Sequence, residues 1–386
     1  MPTIQEHMSG KNINFLIGSG ASMPLFSTLS IGKNMPTFEE LISSSFIADE
    51  NRKKLYLYYF DNWISKMDSS SEKNENYKSV FDSYYKFISM LIEILEREPL
   101  NKPRRINIFT TNYDMMFEKA FDKVNSENKL AYFNDGSSGF INKIISIDNF
   151  NLNVSHSGSC DKCRVELPTI NLFKMHGSIS WNKSTINAED KIEVDYELKN
   201  LTKLKNIIEK NRDLQITEQI ATILYEIDEK QISMEEKCIE VNSRLGAIID
   251  NDESKEKLDE FYQEYKNLLI INPDKNKFYH TVYEQHYYQM IRNFSYEIEK
   301  ENTILFVFGF SFNDEHILDI FKRSIINPKS KIYIVPFDKK AFNSISEKLK
   351  GYKNIEYVPT TEQLQNGVNG NYDFFNNFLG DNENGK

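Results

Sequence analysis

Asn14-Phe-Leu-Ile-Gly18-Ser-Gly20-Ala-Ser22, near the start of the chain, is a short apolar run that breaks into a glycine turn. A run of this length closed by glycine reads as a fully buried strand, here Ile13 to Ile17. Its counterpart is Ile304-Leu-Phe-Val-Phe-Gly309-Phe-Ser311-Phe-Asn313-Asp314. Between them lie Thr110-Thr-Asn112-Tyr-Asp114 and Lys174-Met-His176-Gly-Ser178. All four motifs begin where an apolar run ends, and open parallel sheets bind ligands at the carboxyl ends of their strands. The first and last have the form of two halves of one nucleotide pocket.

Working outward, the pattern predicts further strands at Pro103–Phe109, Leu172–Met175, Leu268–Ile271, Lys331–Phe337 and Asn354–Val358. Helices are expected at Met115–Phe121, Lys277–Lys300 and Glu315–Ile325. Strand, polar turn and helix in succession make the crossover unit of a parallel α/β sheet. Gly136–Gly139 and Ser155–Ser159 read as loops. From Thr37, with Glu40 completing a capping box, helical patterning runs to Glu98. A second helical stretch, 200–267, carries Ile216, Ile220, Ile223, Leu224 and Ile227 on one face, which must be covered by its own domain or by a second copy. The expected organisation is therefore a sheet domain (1–35, 99–199 and 268–386), a helical lobe (36–98) and a helical insertion (200–267).

The 386 residues suffice for a large core, and 40% hydrophobic with 27% charged residues is a globular composition. No apolar run approaches the ~18 residues of a spanning helix, and Met1–His7 lacks a signal pattern, so a cytoplasmic protein is expected. The net charge of -10 opposes the phosphate attraction that dominates nucleic-acid affinity, so direct nucleic-acid binding is not expected. Three cysteines do not make a disulfide scaffold.

Several motifs point to less than they first suggest. Gly18-x-Gly20 lacks the third glycine of the dinucleotide fingerprint, where Met23 stands. Gly32-Lys33 fails as a phosphate loop, because Ser27 stands where glycine is needed and Asn34 where Ser or Thr is needed. His156, Cys160, Cys163 and His176 are possible zinc ligands, but structural zinc sites show two tight pairs. A cysteine-containing loop with no metal is the expectation. Asn112 and Asp114 can cap a helix, and so can Asn313 and Asp314. A cap also aims helix N–H groups, which bind anions, so the two uses are compatible.

Taken in order, Gly18-Ser-Gly20-Ala-Ser22, Thr111-Asn112-Tyr-Asp114, His176-Gly177 and Gly309-Phe-Ser311 resemble the motifs of the sirtuin family of NAD-consuming enzymes. Asn272-Pro273 through Asn313-Asp314-Glu-His316 resembles more narrowly the bacterial sirtuin-like proteins of antiphage defence. The resemblance implies a Rossmann-like fold with NAD as substrate, held by Gly18, Ser19, Gly20, Ala21, Ser22, Thr111, Gly309, Ser311, Asn313 and Asp314. It implies that Asn112 orients the attacking water or the ribose, His176 acts as base toward a ribose hydroxyl, and Asp114 contacts the nicotinamide carboxamide. Thr111 replaces the glutamine of the deacylases, Tyr113 replaces a small aliphatic residue, and only Cys238 follows His176, so the zinc module of the deacylases is missing. The resemblance thus favours an NAD glycohydrolase over a deacylase, assembled as a homo-oligomer and acting with a HerA-type ring ATPase. A catalytically silent NAD or ADP-ribose sensor is the alternative.

Overall fold

The computed structural model describes residues 3–26, 31–68, 75–99, 104–127, 130–158, 164–186, 189–210, 216–248, 252–271 and 281–380. Cys160, Cys163 and the Asn272-Pro273 segment lie outside them. The chain divides into two compact units. One contains Met1–Leu25, Ser71–His176 and Gln285–Lys386, and the other Phe26–Ser70 and Gly177–Glu284.

The first unit is built on seven parallel strands, β1 (Asn12–Ile17), β2 (Arg105–Thr110), β3 (Tyr132–Asn134), β4 (Thr169–Lys174), β5 (Thr303–Phe308), β6 (Lys331–Val335) and β7 (Ile355–Tyr357). Their spatial order is β7-β6-β5-β1-β2-β4-β3, and every pairing is parallel. Every residue of β4 and β5 is buried, as expected of strands covered on both faces. On one face Phe15 meets Phe87 of the helix Glu75–Arg97 edge to face at 5.1 Å, and Phe308 stacks on Phe375 of the helix Tyr372–Leu379 at 4.6 Å. On the other, Phe109 meets Phe294 of the helix Thr281–Glu299 at 5.0 Å. This is the Rossmann-like α/β architecture, a parallel sheet flanked by helices.

Four buried asparagines fix the register of one half of the sheet. Asn14, Asn107, Asn171 and Asn134 occupy paired positions on β1, β2, β4 and β3. Three of the four carboxamides donate along the row: Asn107 to Asn14 at 2.9 Å, Asn171 to Asn107 at 2.9 Å and Asn134 to Asn171 at 3.0 Å. A slip of one residue moves each side chain to the opposite face and orphans the whole row. Asn112 follows Asn107 by five residues, and His176 follows Asn171 by the same number.

The second unit packs the helices Phe38–Ser43, Asp49–Asn62, Lys199–Lys210, Ile216–Asp228, Met234–Gly246 and Asp252–Tyr265 with the antiparallel hairpin Trp181–Ile186/Glu189–Val194. Thr37 and Glu40 form the expected capping box. The stripe Ile216, Ile220, Ile223, Leu224 and Ile227 is buried within this unit, where its helix packs on Asp49–Asn62 and Met234–Gly246. That face therefore gives no argument for self-association. At Gly32-Lys33, the N–H groups of Lys33 (3.2 Å) and Asn34 (2.7 Å) donate to the Asp228 carboxylate. The donors a phosphate loop would use are already engaged.

Some elements differ from expectation. Leu268–Ile271 is not a strand: Ile270 makes a single antiparallel bridge to Gly177, while Leu268, Ile270 and Ile271 bury their side chains. Apolar burial gave the strand-like pattern there without a neighbour to complete a ladder. The hairpin Trp181–Val194 escapes the pattern for the converse reason, because polar residues such as the exposed Lys183, Thr185 and Glu189 interrupt its apolar positions. Ser137–Ser138 and Ser155–His156, read as loops, make short two-residue strands.

Candidate active site

The connection after β1 runs to β2 on one side, whereas the connection after β5 runs to β6 on the other. β1 and β5 are neighbours, so their carboxyl ends flank the topological switch point where such sheets bind ligands. The two glycine turns follow these two strands. Gly18 N–H donates to Phe308 O at 3.0 Å, and Gly20 N–H to Gly309 O at 2.9 Å. A Cβ on Gly18 would stand 2.5 Å from Gly309 O, and one on Gly309 would stand 2.4 Å from Ala21 N. These glycines permit two backbones to meet. Ser19 is exposed and Ala21 is buried, with Ala21 N–H closing the turn on Gly18 O at 3.0 Å.

The turn after β5 is held rigidly. Gly309 has φ +66°, and Phe312 adopts φ 56° with its ring buried against Phe310 and Phe321. A bulky residue in the left-handed region costs energy and persists only where its surroundings over-determine it. Here Lys348 supplies three contacts, donating to Ser311 O (3.2 Å), Phe312 O (3.1 Å) and Asn313 Oδ1 (2.6 Å). Burial, then the charge of Lys322, lowers the Lys348 pKa. Ser311 and Asn313 themselves are exposed.

At the tip of β2, Thr111 N–H donates to Ile17 O at 3.2 Å, and Thr110 Oγ1 accepts the Asn112 N–H at 3.1 Å. Asn112 is buried, and its side chain enters a closed hydrogen-bond network. Ser22 Oγ lies 2.8 Å from Asp114 Oδ2, 2.8 Å from Tyr84 Oη and 3.2 Å from Asn112 Nδ2. A carboxylate only accepts, so the one Ser22 proton goes to Asp114, and Tyr84 and Asn112 both donate to Ser22. The Ser22 oxygen is saturated. Asn112 Oδ1, by contrast, has no hydrogen-bond partner among the described residues. Burial foremost, then the Asp114 charge, pushes the Tyr84 phenol well up, which keeps it a donor.

Asp114 spends its other oxygen on the Met116 N–H (3.0 Å), at the start of the helix Met116–Ser126. Both oxygens of the residue expected to contact nicotinamide are thus engaged internally. Beneath it, Lys174 at the end of β4 donates to Asp114 O and pairs with Glu118 at 2.8 Å, all within the buried interior. Burial raises the Glu118 pKa against the opposing pull of Lys174.

Thr110 and Lys174 are paired across β2 and β4, and Met175 N–H donates to Thr110 O at 2.9 Å. Asn112 and His176 each lie two residues beyond that pair, in the turns that follow β2 and β4. His176 Nε2 lies 3.3 Å from Asp314 Oδ2, and its ring centroid is 6.1 Å from that of Tyr287. Burial, then Asp314, raises the Tyr287 phenol. Tyr84, Tyr287, Lys174 and Glu118 were not anticipated from sequence. Tyr84 and Tyr287 sit within long helices among other tyrosines, and only the fold distinguishes them.

Residues 106–224, just under a third of the chain, match the family model described as SIR2-like domain. The match begins in β2 and includes Asn112, Asp114, Lys174 and His176, but neither glycine turn. A SIR2-like domain points to NAD-related activity in general. No curated protein gives a match to the chain.

Proposed function

We propose that the protein is an NAD glycohydrolase that converts NAD and water to nicotinamide, ADP-ribose and a proton. The observation that carries this reading is the Asn112 carboxamide. Its Nδ2 is held by Ser22 and Tyr84, while its Oδ1 has no partner among the described residues, in the turn after β2 and one strand from the switch point. In the reaction the C1′–N bond breaks with its electron pair leaving on nicotinamide, and a water oxygen bonds to C1′. Asn112 Oδ1 accepts a hydrogen bond from that water or from the ribose, and His176 serves as base. Holding the water and sugar in one geometry supplies much of the rate enhancement, and the base contributes a further ~10²–10⁴-fold. The glycine turns and the Gly309–Asp314 turn bind the dinucleotide.

The geometry argues for one revision of roles. Asp114 and Ser22 act on Asn112 through the hydrogen-bond network, and Asp114 is not assigned a nicotinamide contact. Water is the nucleophile rather than an acyl-lysine, given the missing cysteine pairs.

The biological setting proposed is depletion of cellular NAD in antiphage defence, by a cytoplasmic homo-oligomer acting with a HerA-type ring ATPase. Its support is the sequence resemblance described above. Among the described residues no helix is long and apolar enough to cross a membrane.

The test is to follow nicotinamide release from NAD by the wild type, Asn112→Ala and His176→Ala, with and without such an ATPase. Release by the wild type and its loss in both variants, with NAD binding retained, is the expected result. Equal rates from all three remove the assignment, and binding without release in every condition favours the sensor.

A further inference from the structure

Lys348 is the last residue of the helix Lys339–Lys348, where a lysine ordinarily reaches back to the free carbonyls of its own helix end or out to solvent. Here it is half-buried and directed onto the turn after β5. Its ammonium has three protons, and three oxygens of that turn receive them: Ser311 O (3.2 Å), Phe312 O (3.1 Å) and Asn313 Oδ1 (2.6 Å). All three oxygens are neutral, and the charge that acts on the ammonium is the like charge of Lys322. At the centre of the clamp is Phe312, held at φ 56°. A lysine with no carboxylate partner among the described residues, holding a phenylalanine in the left-handed region, is more than a helix end requires.

The clamp also decides what the turn presents. A lysine only donates, so the Asn313 carboxamide must face it with its oxygen and turn its NH₂ away. Gly309 O is taken by the Gly20 N–H at 2.9 Å. With these acceptors engaged, the exposed side chains of the turn offer the Ser311 hydroxyl and the Asn313 NH₂, both able to donate. Donors in front of an uncompensated cation suit the diphosphate of a dinucleotide.

We propose that Lys348 is a positioning residue for dinucleotide binding. All of its protons are used within the protein, so it acts through the turn and not on the reacting atoms. Its ammonium holds the Ser311–Asn313 backbone and the Asn313 carboxamide in the form that meets the ligand. Without it the left-handed form is populated by fewer molecules, and the apparent affinity falls by the same fraction. The inference deepens the reading that the Gly309–Asp314 turn binds NAD and rests on that reading.

The experiment uses the full chain as wild type, Lys348→Met, Lys348→Arg and Lys340→Met. The last removes an equal charge from the exposed face of the same helix and touches no part of the turn. Calorimetry with ADP-ribose measures affinity, and nicotinamide release from NAD measures KM and kcat. Lys348→Met is expected to weaken ADP-ribose binding roughly ten- to hundred-fold and to raise KM by a similar factor with kcat nearly unchanged, whereas Lys340→Met matches the wild type. Lys348→Arg is expected to fall between them and serves if the Met variant does not fold. Its guanidinium keeps the charge, but a planar fork cannot meet three oxygens gathered round one ammonium. The clamp itself is read from the ¹⁵N relaxation of the Asn313 side-chain amide, assigned through Asn313→Ser, which is expected to be rigid in the wild type and mobile in Lys348→Met. Wild-type affinity in either Lys348 variant overturns the inference, and so does an Asn313 amide equally mobile with and without Lys348. Failure of the wild type to bind ADP-ribose instead removes the dinucleotide reading of the turn, and the relaxation data distinguish that result from failure of the clamp.

Discussion

Gly18 and Gly309 meet backbone to backbone: a Cβ on Gly18 would lie 2.5 Å from Gly309 O, and one on Gly309 would lie 3.1 Å from Gly18 O. The glycines are thus required to bring the two turns together at the switch point before any ligand is considered. Gly309→Ala is expected to be severe, because the residue has φ +66° and its Cβ would also stand 2.4 Å from Ala21 N. Strain in the left-handed region and overpacking together cost on the order of 2–4 kcal/mol. Urea unfolding measures this, and a loss below about 0.5 kcal/mol contradicts the interlock.

Ser22 binds three partners through one oxygen, so removing it affects all three. Ser22→Ala leaves Asp114 Oδ2, Tyr84 Oη and Asn112 Nδ2 without their shared partner, at roughly 1–3 kcal/mol for buried polar groups. The Asn112 carboxamide keeps only its longer contact to Tyr84 at 3.5 Å, so it is held less firmly and kcat for nicotinamide release is expected to fall more than KM changes. Tyr84→Phe removes one donor and is expected to be milder. It also has a signature in alkali. Because burial raises the Tyr84 pKa above 10.0, its native proton is retained where the unfolded chain loses it. Stability from this group is present below pH 10 and lost as pH rises above it. Tyr84→Phe should flatten that loss, and identical alkaline slopes would contradict the buried phenol.

The asparagine ladder separates register from mere burial. Asn107 accepts from Asn171 and donates to Asn14, so Asn107→Leu strands a donor on one side and an acceptor on the other. A loss of roughly 2–4 kcal/mol is expected from two orphaned buried groups. Asn14→Leu, at the end of the row, should cost less. The order of the two midpoints in denaturant checks the ladder directly.

Much of this sheet was legible because fully buried strands are short apolar runs closed by turn residues, and Ile13–Ile17 and Ile304–Phe308 lie where that pattern puts them. The positions of the four polar motifs at strand ends were legible for the same reason. The ladder was present as a repeated Ile-Asn, at Ile13-Asn14, Ile106-Asn107 and Ile170-Asn171, but a lone asparagine in a strand says nothing until register pairs it. Tyr84 was hidden because its role depends on contacts with Ser22 and Asn112, segments far from it in sequence. Leu268–Ile271 shows the opposite error, since an apolar run reports burial and not a neighbouring strand.

The buried pair of Lys174 and Glu118 gives the site a pH-dependent support. Lys174→Met would leave the Glu118 carboxylate buried without its partner, a change that typically costs ~3–5 kcal/mol. It would also remove the tie from β4 to Asp114 O, so nicotinamide release should fall along with stability. Burial already raises the Glu118 pKa above 4.5, and Lys174 is what opposes it. Without the ammonium the native state binds a proton that the unfolded chain does not, so the deficit is greatest at neutral pH. It shrinks as pH falls toward 4.5, where the unfolded carboxyl also protonates. Replacing both residues, Lys174→Met with Glu118→Leu, removes the orphaned charge and should recover most of the stability without restoring the tie to Asp114. Denaturant midpoints at pH 5 and pH 8 for both variants provide the measurement, and a Lys174→Met deficit that is the same at the two pH values would refute the buried carboxylate as its cause.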